Sequence, residues 1–155
     1  MKEVIRWGII GCGDVVETKN GPAFYLAEGS ELAGIWNRTK SKAVDWCQSH
    51  GHGHAYDTLE ELLKDPTIDI IYVATPPNVH KQYAIQVAQV HKHCYLEKPI
   101  ALSWEEAEEI HAAFEESGTR CFTAHYRRGM PRYRELKKLL EAGTIGKIRG
   151  VQVIR

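Results

Sequence analysis

Three short stretches of this 155-residue chain carry residue types and spacings that could do chemistry. Glu97, Lys98 and Pro99 close the apolar run His93, Cys94, Tyr95, Leu96, setting an acid and a base at the exit of a predicted strand. That exit is where open parallel α/β sheets bind ligands, so Lys98 is the candidate catalytic residue, able to polarise or hydrogen-bond a reacting oxygen, with Glu97 beside it. Gly11, Cys12, Gly13, Asp14 and Val15 follow the apolar run 4–10 and match the first two glycines of the dinucleotide fingerprint, whose backbone approaches a pyrophosphate. Val16 stands where a third glycine usually lets the helix pack tightly on the strand, so helix and sheet are expected further apart here. Asn37 and Arg38 end the run 32–36, where a site selective for NAD would carry Asp or Glu. A guanidinium pairs with a 2′-phosphate and an acid repels it, so these residues favour NADP over NAD. Each stretch also has a plainer reading: a solvated loop, a structural β-to-α turn, and an exposed arginine at a helix start.

The elements that must position these residues alternate along the chain. Predicted strands cover 4–10, 32–36, 68–74, 93–96 and 121–124, and helical patterns lie between them. The first helical stretch is broken at Asn20, Gly21, Pro22, and a second is expected from Pro22 to about Glu28. Thr58 to Glu61 and Ser103 to Glu106 read as capping boxes. The unbroken run Ile70, Ile71, Tyr72, Val73 suits a central parallel strand buried on both faces. It ends in Thr75, Pro76, Pro77, Asn78, with Asn78 the expected N-cap of the next helix and His80 in its first turn, facing a ligand or simply exposed. His125, Tyr126, Arg127 and Arg128 leave the 121–124 strand at the same carboxyl edge, and the first three are substrate-side candidates. Tyr133, Leu136, Leu139 and Leu140 mark a last amphipathic helix, and 148–154 alternates like an antiparallel strand without a partner. A lone strand is unstable, so the chain is expected to stop at the start of a second domain. Such an alternation specifies an α/β fold with a doubly wound parallel sheet.

Composition removes several classes of function. The 20 basic and 20 acidic side chains cancel, which argues against nucleic acid or an anionic membrane as partner and leaves small molecules. With no leader-like or spanning apolar run, a cytoplasmic protein is expected. Cys12, Cys47, Cys94 and Cys121 lack Cys-x-x-Cys spacing and read as free thiols. His50, His52 and His54 alternate with glycines but have no carboxylate or thiolate in fixed register, so no metal site is expected.

Taken together, Gly-Ile-Ile-Gly-Cys-Gly-Asp (8–14), Ala-Thr-Pro-Pro-Asn-Val-His (74–80) and Glu-Lys-Pro (97–99) resemble the Gfo/Idh/MocA oxidoreductases, named for glucose-fructose oxidoreductase and inositol dehydrogenase. The resemblance runs from Val4 to the end. It implies an N-terminal NAD(P)-binding Rossmann domain, here residues 1–125, and a C-terminal α/β domain of which 126–155 would supply a connecting helix and the first strand. It also implies hydride transfer between nicotinamide and a sugar, polyol or related substrate. Lys98 would then contact substrate and nicotinamide ribose, while Thr75, Pro76 and Asn78 would line the cofactor. Pro77, His80 and Glu97 join that cofactor-binding set at the same edge. The family's acid-base histidine lies in the second domain, as would any homo-oligomer interface, so this chain alone is expected to be inactive. His91 replaces a glycine common in the family, at a position where a left-handed residue would be mildly strained. The run 19–24 resembles one subgroup but does not specify a substrate. The rival expectation is a dinucleotide-binding module without catalysis, which the same scaffold can equally support.

Overall fold

Apolar runs bounded by turn residues become the strands of one parallel sheet in the computed structural model, which describes residues 4–152. The strands are β1 (Ile5–Ile10), β2 (Ser30–Trp36), β3 (His54–Ala55), β4 (Ile70–Val73), β5 (His93–Leu96) and β6 (Cys121–Thr123). Their order is β3-β2-β1-β4-β5-β6, with every pairing parallel. The chain winds outward one way from β1 to β3 and the other way from β4 to β6. The loops leaving β1 and β4 therefore diverge and open a crevice at their carboxyl ends.

Period-two alternation along the central strands builds a core on each face. Ile10, Ile71, Val73 and Leu96 pack with Leu62, Val87, Ile110 and Phe114 on one face. Ile9, Ile35 and Tyr72 pack with Val16, Phe24, Ala43 and Trp46 on the other. The residues packed onto the strands come from the π-helix Val16–Asn20 and from α1 (Ala23–Leu26), α2 (Lys40–His50), α3 (Leu59–Lys64), α4 (His80–Gln89) and α5 (Trp104–Ser117). Burying each large aliphatic or aromatic side chain contributes about 1.5–3 kcal/mol, so the two cores hold the sheet edge rigid beneath the crevice.

Local signals explain most boundaries. Thr58 and Glu61 complete a reciprocal capping box at α3. Ser103 accepts from the Glu106 N–H, whereas the Glu106 carboxylate reaches the Leu102 N–H, so the second box closes one residue early. His91 takes φ 56°, the left-handed geometry expected of it. Asn78 does not cap α4: a 3₁₀ turn, Pro77–Val79, intervenes, and Val79 occupies the cap position without a side-chain bond. The two prolines favour that tighter turn and displace the helix start.

The break at Asn20, Gly21, Pro22 is real, but the stretch before it is a π-helix, Val16–Asn20. Val16 itself is fully buried in one core with Ile9, Ile35 and Trp46. At Gly21 a Cβ would lie 2.3 Å from the Val16 carbonyl oxygen, so the chain needs glycine to pass there.

The chain divides into two compact units after Ala124. The second contains a 3₁₀ turn, Tyr126–Gly129, and α6 (Pro131–Glu141), none of whose side chains is buried. The expected strand 148–154 does not form over its described part, 148–152, which is exposed and without strand pairing, while Val153 and Ile154 lie outside the described residues. A β-branched run makes a strand only when a ladder partner is present. Among the described residues no helix is long and apolar enough to cross a membrane.

Candidate functional site

The residues after β1, β2 and β4 converge on a cleft of about 380 Å³. Of the expected residues, Gly11, Cys12, Gly13, Asn37, Arg38, Thr75, Pro76 and Asn78 line it. The floor is tied by backbone bonds, Gly11 N–H to Trp36 O at 2.8 Å and Ala74 N–H to Ile10 O at 2.9 Å. Gly11 has φ +93°, and a Cβ on it would sit 3.0 Å from the Ala74 carbonyl oxygen, so the tight turn itself demands glycine. At Gly13 a Cβ would meet no atom of the described residues within 4 Å other than those of Gly13 and its chain neighbours. The room that Gly13 leaves therefore opens outward, as close approach of a ligand to the backbone requires.

Asn37 braces the loops. Its Nδ2 donates to Cys12 Sγ at 3.2 Å and its Oδ1 accepts from the Thr39 N–H at 2.9 Å. Burial pushes the Cys12 thiol up, only partly opposed by the Asn37 bond and the Lys42 charge, which disfavours the thiolate form. Arg38 is exposed at the rim. Lys42, in the first turn of α2, joins it on the cleft wall, and among the described residues no Asp or Glu lines the cleft. Part of the lining is aromatic: Trp36 and Tyr83 meet edge to face, with centroids 6.0 Å apart. Thr75 Oγ1 is buried and has no hydrogen-bond partner among the described residues.

At the neighbouring strand end, Glu97 is 6% exposed and engaged by several donors. Its Oε1 accepts from the Tyr72 hydroxyl at 2.7 Å and from Asn20 Nδ2 at 2.9 Å, and the same Asn20 amide donates to Tyr72 Oη at 2.8 Å. Its Oε2 accepts from the Lys98 N–H at 3.0 Å and lies 3.9 Å from Lys98 Nζ. The Lys98 side chain is 56% exposed. Burial first, and then the bond to Glu97, hold the Tyr72 phenol far above its ordinary value, so it serves as a donor and not as an acid.

Other expected residues fall outside the cleft lining. Val15 packs against the core, Asp14 is exposed with its carbonyl accepting from Thr18 Oγ1 at 2.6 Å, and Pro77 lies in the 3₁₀ turn. His80 is neither exposed nor on the cleft: it is fully buried, with Nδ1 2.9 Å from Pro99 O and Nε2 2.8 Å from Thr75 O. It thereby ties the residue after Lys98 to the cleft wall. His125, Tyr126 and Arg127 are exposed in the second unit.

The histidine loop is occupied by ring contacts. His50 stacks on Trp46 and His52 on Tyr25, each at 4.0 Å, and His54 meets Tyr56 edge-on. Among the described residues no group of three or more His, Cys, Asp or Glu could hold a metal ion.

Sequence reading missed Trp36, Lys42 and Tyr83. The signal for Lys42 was its spacing of four from Arg38, which sets both near the start of one helix. Trp36 and Tyr83 carried none, because aromatic residues at those positions read simply as core.

Against known proteins, residues 5–125 match the family model described as an oxidoreductase family with an NAD-binding Rossmann fold. Oxidoreductase P35 of Formosa agariphila is 40% identical over 153 residues, covering 99% of this chain and 48% of that protein. The scyllo-inositol 2-dehydrogenase (NADP(+)) IolU of Bacillus subtilis is 30% identical, covering 92% of this chain and 43% of that protein. The WlbA dehydrogenase of Bordetella pertussis, solved with NADH and UDP-GlcNAcA, superposes with a TM-score of 0.82 at 29% identity, over 94% of this chain and 42% of that one. The chain thus spans about half the length of the curated relatives it matches.

Proposed function

Because this chain belongs to the Gfo/Idh/MocA oxidoreductase family, with its NAD(P)-binding Rossmann fold, we propose that it forms the cofactor half of an NADP-preferring dehydrogenase acting on a sugar, polyol or related alcohol–carbonyl pair. In this reading 1–125 is the dinucleotide domain and 126–155 leads into a substrate domain. The carrying observation is a cleft with a glycine turn at its base and, among the described residues, two cations and no carboxylate lining it.

The residues fit a phosphorylated dinucleotide. Gly13 leaves open space for a pyrophosphate, and the orphaned Thr75 hydroxyl offers a buried polar group awaiting a partner. Arg38 and Lys42 can pair with a 2′-phosphate, while Trp36 and Tyr83 offer flat apolar surface to a base. When bound, the nicotinamide supplies the hydride donor or acceptor. Lys98 donates a hydrogen bond to the reacting oxygen and steadies charge that develops there. His80 and Glu97 act through position: one holds the Pro99 carbonyl, the other the Lys98 backbone. The likeness to an inositol dehydrogenase and to a dehydrogenase solved with a nucleotide sugar supports the substrate class.

The test compares NADPH and NADH binding in the wild type, Arg38→Asp and Lys42→Met. A charge-assisted bond contributes about 1.5–3 kcal/mol, so each variant should lose about 10-fold or more of its NADPH preference. Unchanged preference in both refutes the 2′-phosphate role. In the full-length protein, Lys98→Met should lower turnover by about two powers of ten or more with NADPH still bound. Binding with no turnover in the unaltered full-length protein would favour the module without catalysis.

A further inference from the structure

Glu97 is a buried acidic side chain that the proposed chemistry does not itself consume, and its partners come from two distant places in the chain. Tyr72 lies in the fully buried strand β4 and Asn20 at the end of the π-helix that follows the glycine turn. We propose that Asn20, Tyr72 and Glu97 form a positioning relay that sets the Lys98 ammonium from the segment following the glycine turn. The proposal rests on the reading of Lys98 as the residue at the nicotinamide end.

Geometry carries it. Asn20 Nδ2 lies within hydrogen-bond distance of both Tyr72 Oη and Glu97 Oε1, which are themselves only 2.7 Å apart, so the amide shares one N–H between them. The Tyr72 hydroxyl accepts from that amide and donates its own proton to the same Oε1. With Oε1 saturated from one side, the carboxylate cannot rotate without breaking two bonds. Its Oε2 is therefore held toward Lys98, bonding the backbone N–H at 3.0 Å and facing Nζ at 3.9 Å. Lys98 itself is more than half exposed and carries a flexible four-carbon stem, so Glu97 is the fixed point from which its ammonium takes direction. A residue at the end of a strand would not ordinarily be tied to the helix after β1. Here the tie makes the conformation of residues 13–20 and the orientation of Lys98 parts of one network, and π-turns of this kind occur often at functional sites.

Two readouts on the 155-residue chain test this. The first is the Kd for NADPH against that for adenosine 2′,5′-bisphosphate, which lacks the nicotinamide half. Asn20→Ala and Tyr72→Phe should weaken NADPH about 3- to 10-fold and leave the bisphosphate unchanged, since the loss falls at one end of the site. Damage to the fold would weaken both. Combined with Lys98→Met, neither substitution should weaken NADPH further, because both act through that lysine. The second readout needs no ligand: acylation of Lys98 by an amine reagent relative to Lys64, read by mass spectrometry, should change several-fold in both variants. Tyr72→Phe keeps the buried ring, so it reports even if Asn20→Ala fails to fold. Equal NADPH-to-bisphosphate ratios and unchanged Lys98 labelling in the folded variants overturn the relay. If Lys98→Met alone leaves the NADPH ratio unchanged, the assignment of Lys98 falls instead.

Discussion

Two glycines one residue apart should respond to alanine in opposite ways. At Gly11 the backbone has φ +93° and a Cβ would stand 3.0 Å from the Ala74 carbonyl oxygen and 3.3 Å from its carbon. A side chain in left-handed geometry costs about 1–2 kcal/mol, and crowding against the backbone of a central strand end cannot be relieved by a rotamer change. The reduced freedom of the unfolded chain returns about 0.5 kcal/mol, leaving Gly11→Ala about 2 kcal/mol less stable. At Gly13 no atom of the described residues other than Gly13 and its chain neighbours lies within 4 Å of the added carbon, and φ is not in the left-handed region. Gly13→Ala should therefore be as stable as wild type or about 0.5 kcal/mol more so. Its cost appears only with ligand: a methyl where a pyrophosphate approaches the backbone should weaken NADPH at least about 10-fold, or 1.4 kcal/mol. Urea denaturation and NADPH titration of both variants measure the two effects. A folded Gly13→Ala that binds NADPH like wild type would remove the pyrophosphate from this turn, and a destabilised one would refute the open geometry.

Three further outcomes are expected. Thr58→Ala breaks the α3 capping box and should cost about 1 kcal/mol in chemical denaturation. The bonds that Asp65 accepts from Thr67 and then Tyr56 depress its carboxyl to about 2, so its stabilisation is present above the ordinary carboxylate range and fades as pH falls through about 2. After allowance for solvent screening, Asp65→Asn should lose about 1 kcal/mol at neutral pH, with the gap closing between about pH 4 and pH 2. Phe114→Ala, removing a side chain 2% exposed between α5 and the sheet, should cost about 3–5 kcal/mol by thermal or urea unfolding.

Five of the six strands, the three strand exits and most helix limits were legible because they rest on local signals, apolar runs, capping residues and glycine turns, whereas β3 (His54–Ala55) lies in the expected histidine loop and forms only by pairing with β2. Arg38 and the Gly11 turn could be found that way, since each lies directly after its strand. What stayed hidden depends on contacts between segments far apart. Asn20 reads as a helix breaker until the fold brings it to Glu97, 77 residues away. His80 is polar at a helix start, and only the cleft wall and the Pro99 loop closing over it make it a buried brace. Asn78 illustrates the opposite error: a good capping residue lost its role because neighbouring prolines imposed a different turn. The described part of the expected last strand, 148–152, is unpaired for a further reason, since alternation specifies a face but does not supply a partner.

The pairing of β1 with β4 crosses more than sixty residues of intervening chain. That sequence separation predicts that the pair forms after the local helices and the β1–β2 pair. The cleft therefore exists only once the central pair has zipped, and a dinucleotide can recognise only that finished form. Added cofactor should leave the refolding limb of a chevron plot unmoved and lower the unfolding limb, acting as a latch on the completed sheet and not as a template for it.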